Sequence, residues 1–261
     1  GRMHGDIDAV LVEDLFEPSP FVYWADLVFN ALLGWAAFVQ AVRSPDFSAL
    51  QVLCLAVAVA CLYRAVIFIH ELTHLKKDSF PVFRVVWNLL CGIPFMVPSF
   101  TYMGVHIDHH KQKMYGTKDD GEYLPFVLAG RFRIVLFFLT MLVVPLVFTV
   151  RFLLTPLSYL IPPLRKLLWE YLSSLSIDPE WKRPAPQERD GKWWRLQEFA
   201  AFLYALSFGF LLWKGVLPWK ALILWYLAAT LILLVNGLRT IGATHCYRNP
   251  GGRTMTVSEQ F

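Results

Sequence analysis

Five of the seven histidines fall in two short boxes, Phe68-Ile69-His70-Glu71-Leu72-Thr73-His74 and His106-Ile107-Asp108-His109-His110. Helical residues three and four apart share a face, so His70 and His74 form one two-pronged claw. His106, His109 and His110 form a second. Imidazole suits zinc, iron, copper and nickel, so the chemistry on offer is that of a metal centre. Ionisable groups at membrane depth are costly unless used, which weighs against five interfacial histidines serving only as hydrogen-bonded core residues. The first box also matches the His-Glu-x-x-His pattern of zinc proteases, with Glu71 as general base. A catalytic zinc takes three protein ligands and keeps one position open. Five clustered histidines exceed that, and no protease-type third-ligand motif follows. A pair of irons accounts for them better.

The boxes must be positioned by the rest of the chain, and that rest is apolar. Of 261 residues, 56% are hydrophobic and only 17% charged, against about 25% charged in an ordinary soluble domain. Several uncharged windows reach the roughly 20 residues that cross a bilayer as a helix. The formal net charge of +4 is small and spread over loops. It speaks to membrane orientation and not to nucleic acid. Cys54, Cys61, Cys91 and Cys246 show no paired spacing, so neither a disulfide framework nor a cysteine zinc site is expected. The acidic stretch 1–20 has no signal-peptide character. It reads as a polar segment ahead of one membrane domain, 21–261.

Taken in order, that domain is expected to be all-α: four transmembrane helices in two hairpins plus two re-entrant or interfacial segments. The first hairpin is Phe21–Val42 and Ala49–Ile69, turned at Arg43-Ser44-Pro45-Asp46. The second is Leu196–Trp213 and Pro218–Val235. Between them Val82–Met103 is apolar enough to cross, yet a single crossing would set the boxes about 30 Å apart on opposite faces. Gly92-Ile93-Pro94 and Pro98 break the run, so it is expected to dip in and return, with its broken backbone buried against protein. Residues 111–131 read as a loop. Ile134–Leu154, with Pro145 at its centre and basic segments on both flanks, reads as a second dip. Leu164–Ile177 reads as an interfacial amphipathic helix. On this plan the chain ends and all candidate ligands share the cytoplasmic face.

A His-x-x-x-His box after a span, a His-x-x-His-His box after a membrane-bound run, then two further spans resemble the integral-membrane fatty acid desaturase family, in its bacterial form. Tyr115-Gly116-Thr117-Lys118 and Leu238-Arg239-Thr240-Ile241-Gly242-Ala243-Thr244-His245 add to the likeness, which covers the chain from about Phe21 onward. The resemblance implies two iron ions held by His70, His74, His106, His109 and His110, with His245 as a further ligand. Asn236 is a weaker candidate through water, with helix capping as its ordinary role; Asp108 and Glu71 would orient histidines. The family has a third histidine box downstream of the last span. No histidine follows His245 before Phe261, so the chain is expected to be truncated, to bind iron poorly and to be inactive as it stands.

For the complete enzyme the resemblance implies desaturation of a fatty acyl lipid or thioester with dioxygen as co-substrate. Electrons would come from a soluble carrier, ferredoxin-like or a b-type cytochrome, because no flavin or nicotinamide fingerprint and no haem domain is present. The basic residues between Arg165 and Arg195 would attract an acidic carrier or simply record positive-inside bias. A hydroxylase or ketolase of the same superfamily, acting on an alkane, sterol or carotenoid, is the nearest rival; a membrane zinc protease and a non-catalytic lipid-binding protein stand further off. Trp24, Phe29, Gly34, Trp35, Tyr63, Tyr204, Trp225 and Tyr226 are candidates for an acyl channel, although such residues more commonly pack helices or anchor them. The expected setting is a bacterial inner membrane.

Overall fold

The structure, a computed structural model, describes residues 19–70, 81–102, 126–175, 182–186 and 188–244. Every regular element among them is helical: α1 (Pro20–Arg43), α2 (Ala49–Val66), α3 (Pro81–Trp87), α4 (Phe126–Leu153), α5 (Thr155–Leu160), α6 (Pro162–Leu172), α7 (Glu188–Trp213) and α8 (Trp219–Thr244), with a π-turn at Asn88–Gly92 and a 3-10 turn at Ser99–Thr101. Five segments are long and apolar enough to cross a bilayer: Pro20–Arg43, Ala49–His70, Val135–Leu153, Asp190–Trp213 and Trp219–Arg239. The protein is an all-α integral membrane protein, as its composition requires.

Helices α1 and α2 form the expected hairpin. Pro20 opens α1, where a missing N–H costs nothing, and Ser44 closes it before Pro45. Ser48 caps α2 by accepting from the Gln51 amide, while the Gln51 side chain reaches back to the Phe47 N–H. The two helices approach closely at Gly34, where a Cβ would lie 2.6 Å from Leu62 Cγ; small residues at such crossings are how apolar helices pack in lipid. Their outer faces leave Phe21, Phe29, Leu32, Val52 and Leu53 exposed. So large an apolar surface suits a bilayer and not water. At the turn end, Lys220 Nζ at the start of α8 donates to Ser44 O and to Asp46, each at 2.7 Å. α8 therefore runs alongside α2 toward the end that carries His70.

The run after the first box does dip and return. α3 starts at that same end: Phe83 packs against Tyr23, Trp24 and Phe68, with centroids 5.3–6.0 Å away. Seven residues of α-helix and five of π-turn extend under about 20 Å, too short to cross. The chain then turns through buried Ile93, Phe95 and Met96, and Met96 takes a positive φ of 59° to do so. It comes back to Tyr102, whose ring lies 6.4 Å from that of His70.

Two expectations are corrected. Ile134–Leu154 is no dip: it belongs to a continuous 28-residue helix, about 42 Å long, and supplies a fifth long apolar helix where four were expected. One proline removes a single ladder bond, and the helix carries on past it; the chain turns instead at Leu154–Pro163, where prolines open both α5 and α6. The last helix also does not stop near Val235. It continues to Thr244, so Asn236 lies inside α8 and not at a helix end. α4 begins at Phe126, inside the expected loop; residues 111–125 lie outside the described residues.

Candidate metal centre

Of the histidines expected as ligands, the described residues include His70 alone; Asn236, the weaker candidate, lies within α8. His74, His106, His109, His110 and His245, with Glu71 and Asp108, lie outside them. Among the described residues no cluster of three or more His, Cys, Asp or Glu is present. What the structure does place is the chain leading to each. α2 pauses in a turn at Ile67 and resumes to His70, whose N–H donates to Ile67 O. Tyr102, four residues ahead of His106, stands beside the His70 ring. A cavity of about 320 Å³ is lined by Val22, Tyr23, Asp26, Arg64, Ile67, Phe68, His70 and Arg239. Arg239 is six residues ahead of His245. The approaches to the three segments that carry the candidate ligands thus meet at one end of the helices. Beside His70, Arg64 pairs with Asp26 at 2.5 Å, and Asp26 also accepts from Asn30.

The dip that returns the chain to this point is held by side chains that replace its missing backbone partners. Trp35 Nε1 donates to Leu90 O, Trp225 Nε1 to Pro94 O and Trp87 Nε1 to Ala65 O, at 2.7–2.8 Å. Asn88 holds both limbs together: its Oδ1 accepts from Ser99 N and its Nδ2 donates to Ser99 Oγ. Gln197 of α7 accepts from Phe100 N at 3.0 Å. Arg183 donates to Phe100 O at 2.6 Å, and Leu175 N to Thr101 O at 2.8 Å. Trp35, Trp225 and Gly34, candidates for a channel wall, are engaged in holding the dip and in helix packing.

Sequence reasoning missed Gln197, Arg183 and an ion cluster behind them. Glu198, 0% exposed, is paired with Arg165 through two hydrogen bonds of 2.7 and 2.9 Å, and with Arg151, also 0% exposed, at 3.3 Å. Arg151 bonds Ser173 and Thr155 as well. Arg165 and Arg183 are therefore internal braces more than a diffuse basic surface. A signal was available: a carboxylate inside an apolar helix is expensive unless paired, and Glu198 is such a residue. Cys54 and Cys61 are half-buried and Cys91 buried, all free thiols, in keeping with their reading as small apolar residues.

Two comparisons bear on this geometry. The family model described as fatty acid desaturase matches residues 47–260. The chain belongs to the fatty acid desaturase family. It is also 38% identical over 255 residues to a ceramide hydroxylase of Caulobacter vibrioides, an alignment covering 96% of this chain and 71% of that protein. No solved structure matches. Family and relative together mark a lipid-modifying membrane oxidoreductase. Desaturases of this family use a di-iron centre, and what is described here fits one in part: the two boxes' flanks converge, and imidazole is the donor at the point of convergence.

Proposed function

We propose that the protein hydroxylates an acyl or long-chain-base carbon of a ceramide-type lipid, using dioxygen at a histidine-held di-iron centre on the cytoplasmic face. The likeness to a ceramide hydroxylase across almost the whole chain carries the reaction type. The approach of Tyr102 to His70 supports the assignment of both boxes to one site. His70, His74, His106, His109, His110 and His245 would hold the metals. When bound, the irons would supply reductive activation of dioxygen; a soluble carrier of the ferredoxin or b-type cytochrome class would provide two electrons. In the balanced reaction a C–H bond becomes C–OH, and the second oxygen atom leaves as water with two protons. The chain's own part is positional. The dip returns the chain to Tyr102, beside His70, so that the second box would follow close to the first, and the apolar faces of α1, α2 and α8 would keep the approach dry, since a methylene offers no charge to grip.

Desaturation is the second reading, favoured by the family to which the chain belongs. Mass spectrometry of lipids from membranes supplied with ceramide, reductant and carrier separates the two. Gain of one oxygen supports hydroxylation; loss of two hydrogens establishes the desaturase. In a chain that also carries the third histidine box, His70→Ala and His109→Ala should each abolish product and lower bound iron. Full activity in both variants would refute the site.

A further inference from the structure

We infer that the protein binds the phosphate headgroup of an anionic bilayer lipid in a cavity between α5, α6 and the start of α7, distinct from the cavity that His70 lines. The cavity has a volume of about 440 Å³. Four cationic side chains line it, Arg165, Lys166, Arg183 and Arg195, against two carboxylates, Glu170 and Glu198. Its charge is unbalanced at depth as well as at the rim. Among the described residues, the single carboxylate of Glu198 serves both Arg151 and Arg165, so two cations share one counter-charge within a largely buried cluster, where an added anion would be held strongly. Burial, with Arg151 nearby, holds the Arg183 guanidinium down to about 9; an anion in the cavity would raise it again.

The walls suit a fixed anion more than a passing one. Arg165 lies over the rings of Tyr159 at 4.3 Å and Trp169 at 5.3 Å. Arg183 lies over Trp169 at 5.0 Å and Trp194 at 4.8 Å. Guanidinium groups oriented on aromatic faces present their N–H edges in a set direction, the geometry that phosphate oxygens accept. The neighbouring surface points to lipid as the source. Leu157 and Leu160 on α5, Ile161 at the joint and Leu167 and Tyr171 on α6 are all exposed, so an apolar elbow lies beside a cationic cavity, as at the headgroup level of a bilayer.

The test uses the full chain, purified in detergent and reconstituted into vesicles of phosphatidylcholine alone or with phosphatidylglycerol of the same acyl composition. Bound lipid is counted by native mass spectrometry, together with thermal stabilisation. Phosphatidylglycerol should be retained preferentially. Lys166→Gln with Arg195→Gln, two exposed rim residues, should lower that preference roughly thirty-fold, about fivefold per interfacial cation. Lys166→Arg with Arg195→Lys should keep it. An equal loss in Lys182→Gln with Lys192→Gln, which lie outside the cavity, would mean diffuse attraction and overturn the proposal. So would an unchanged preference in the rim variant, or its loss in the charge-keeping one. Displacement by low-millimolar inorganic phosphate would assign the cavity to a soluble anion and overturn the lipid assignment.

Discussion

Residues 81–102 and 134–154 look alike as sequence: each is apolar, proline-interrupted and flanked by polar segments. One folds back on itself and the other runs straight. The difference is in how many partners each interruption loses and where replacements come from. Around Gly92, Pro94 and Pro98 the helical ladder fails over several residues, and its groups are taken up by Trp35, Asn88, Ser99, Gln197 and Trp225. In α4 a single proline removes one bond, the turns on either side persist, and Thr149 Oγ1 bonds back to Pro145 O. A break becomes a re-entrant turn only when other elements supply donors and acceptors at that depth.

Substitutions can break that contrast. The largest effect is expected at Gly92→Ala, because its Cβ would meet Trp87 Cζ3 at 2.7 Å and Asn88 Oδ1 at 2.8 Å. Overpacking of this kind costs about 1–3 kcal/mol, and here it would also displace the limb leading to the second box. Thermal unfolding in detergent and bound iron should both fall. Asn88→Leu comes next, stranding Ser99 groups in a buried site at about 1–3 kcal/mol. Its distinguishing result is loss of iron out of proportion to loss of helix by circular dichroism.

Gln197→Leu sharpens the comparison at a distance, since it leaves the dip's sequence intact. It should cost roughly 1 kcal/mol and lower iron occupancy, with Gln197→Glu retaining an acceptor and recovering part of it. Pro145→Ala is the matched control on the straight run. Stability should hold or rise, by at most about 3 kcal/mol, with activity unchanged; loss of iron there would show that α4 depends on its proline after all. The smallest effect belongs to Asp46. Its hydrogen bond to Lys220 holds its carboxyl below the usual range, so the pair stabilises above ordinary carboxylate pH and fades as acid protonates it. Asp46→Asn should flatten that slight acid dependence in a thermal melt and leave activity alone, because the pair is exposed.

Much of the fold was legible. The hairpin of α1 and α2 follows from two apolar runs around Arg43–Asp46, and the short helix α6 from its spacing of leucines, although it starts at Pro162 and ends at Leu172 where Leu164–Ile177 was expected. The dip was legible because the boxes needed it and Gly92, Pro94 and Pro98 permitted it. Pro145 misled because a proline reads the same in a kink, a turn or an intact membrane helix. The reach of α8 past Asn236 was hidden by polar residues that end an apolar window without ending a helix. At the candidate site, spacing alone singled out His70, the residue that Tyr102 approaches. Gln197 and Arg183 were not, since they act on backbone some 80 to 100 residues away in sequence, and neither was the Glu198 cluster, whose arginines sit on other helices.

By itself, then, the sequence determined the helical membrane class, the histidines that are candidates to hold metal and the points where helices can break, because these depend on local composition and period. Only the tertiary structure decided which breaks are used, which tryptophans and polar side chains complete them, and that Tyr102 returns to His70. Those outcomes depend on hydrogen-bond partners brought from distant helices, and no short window of residues contains both halves of such a bond.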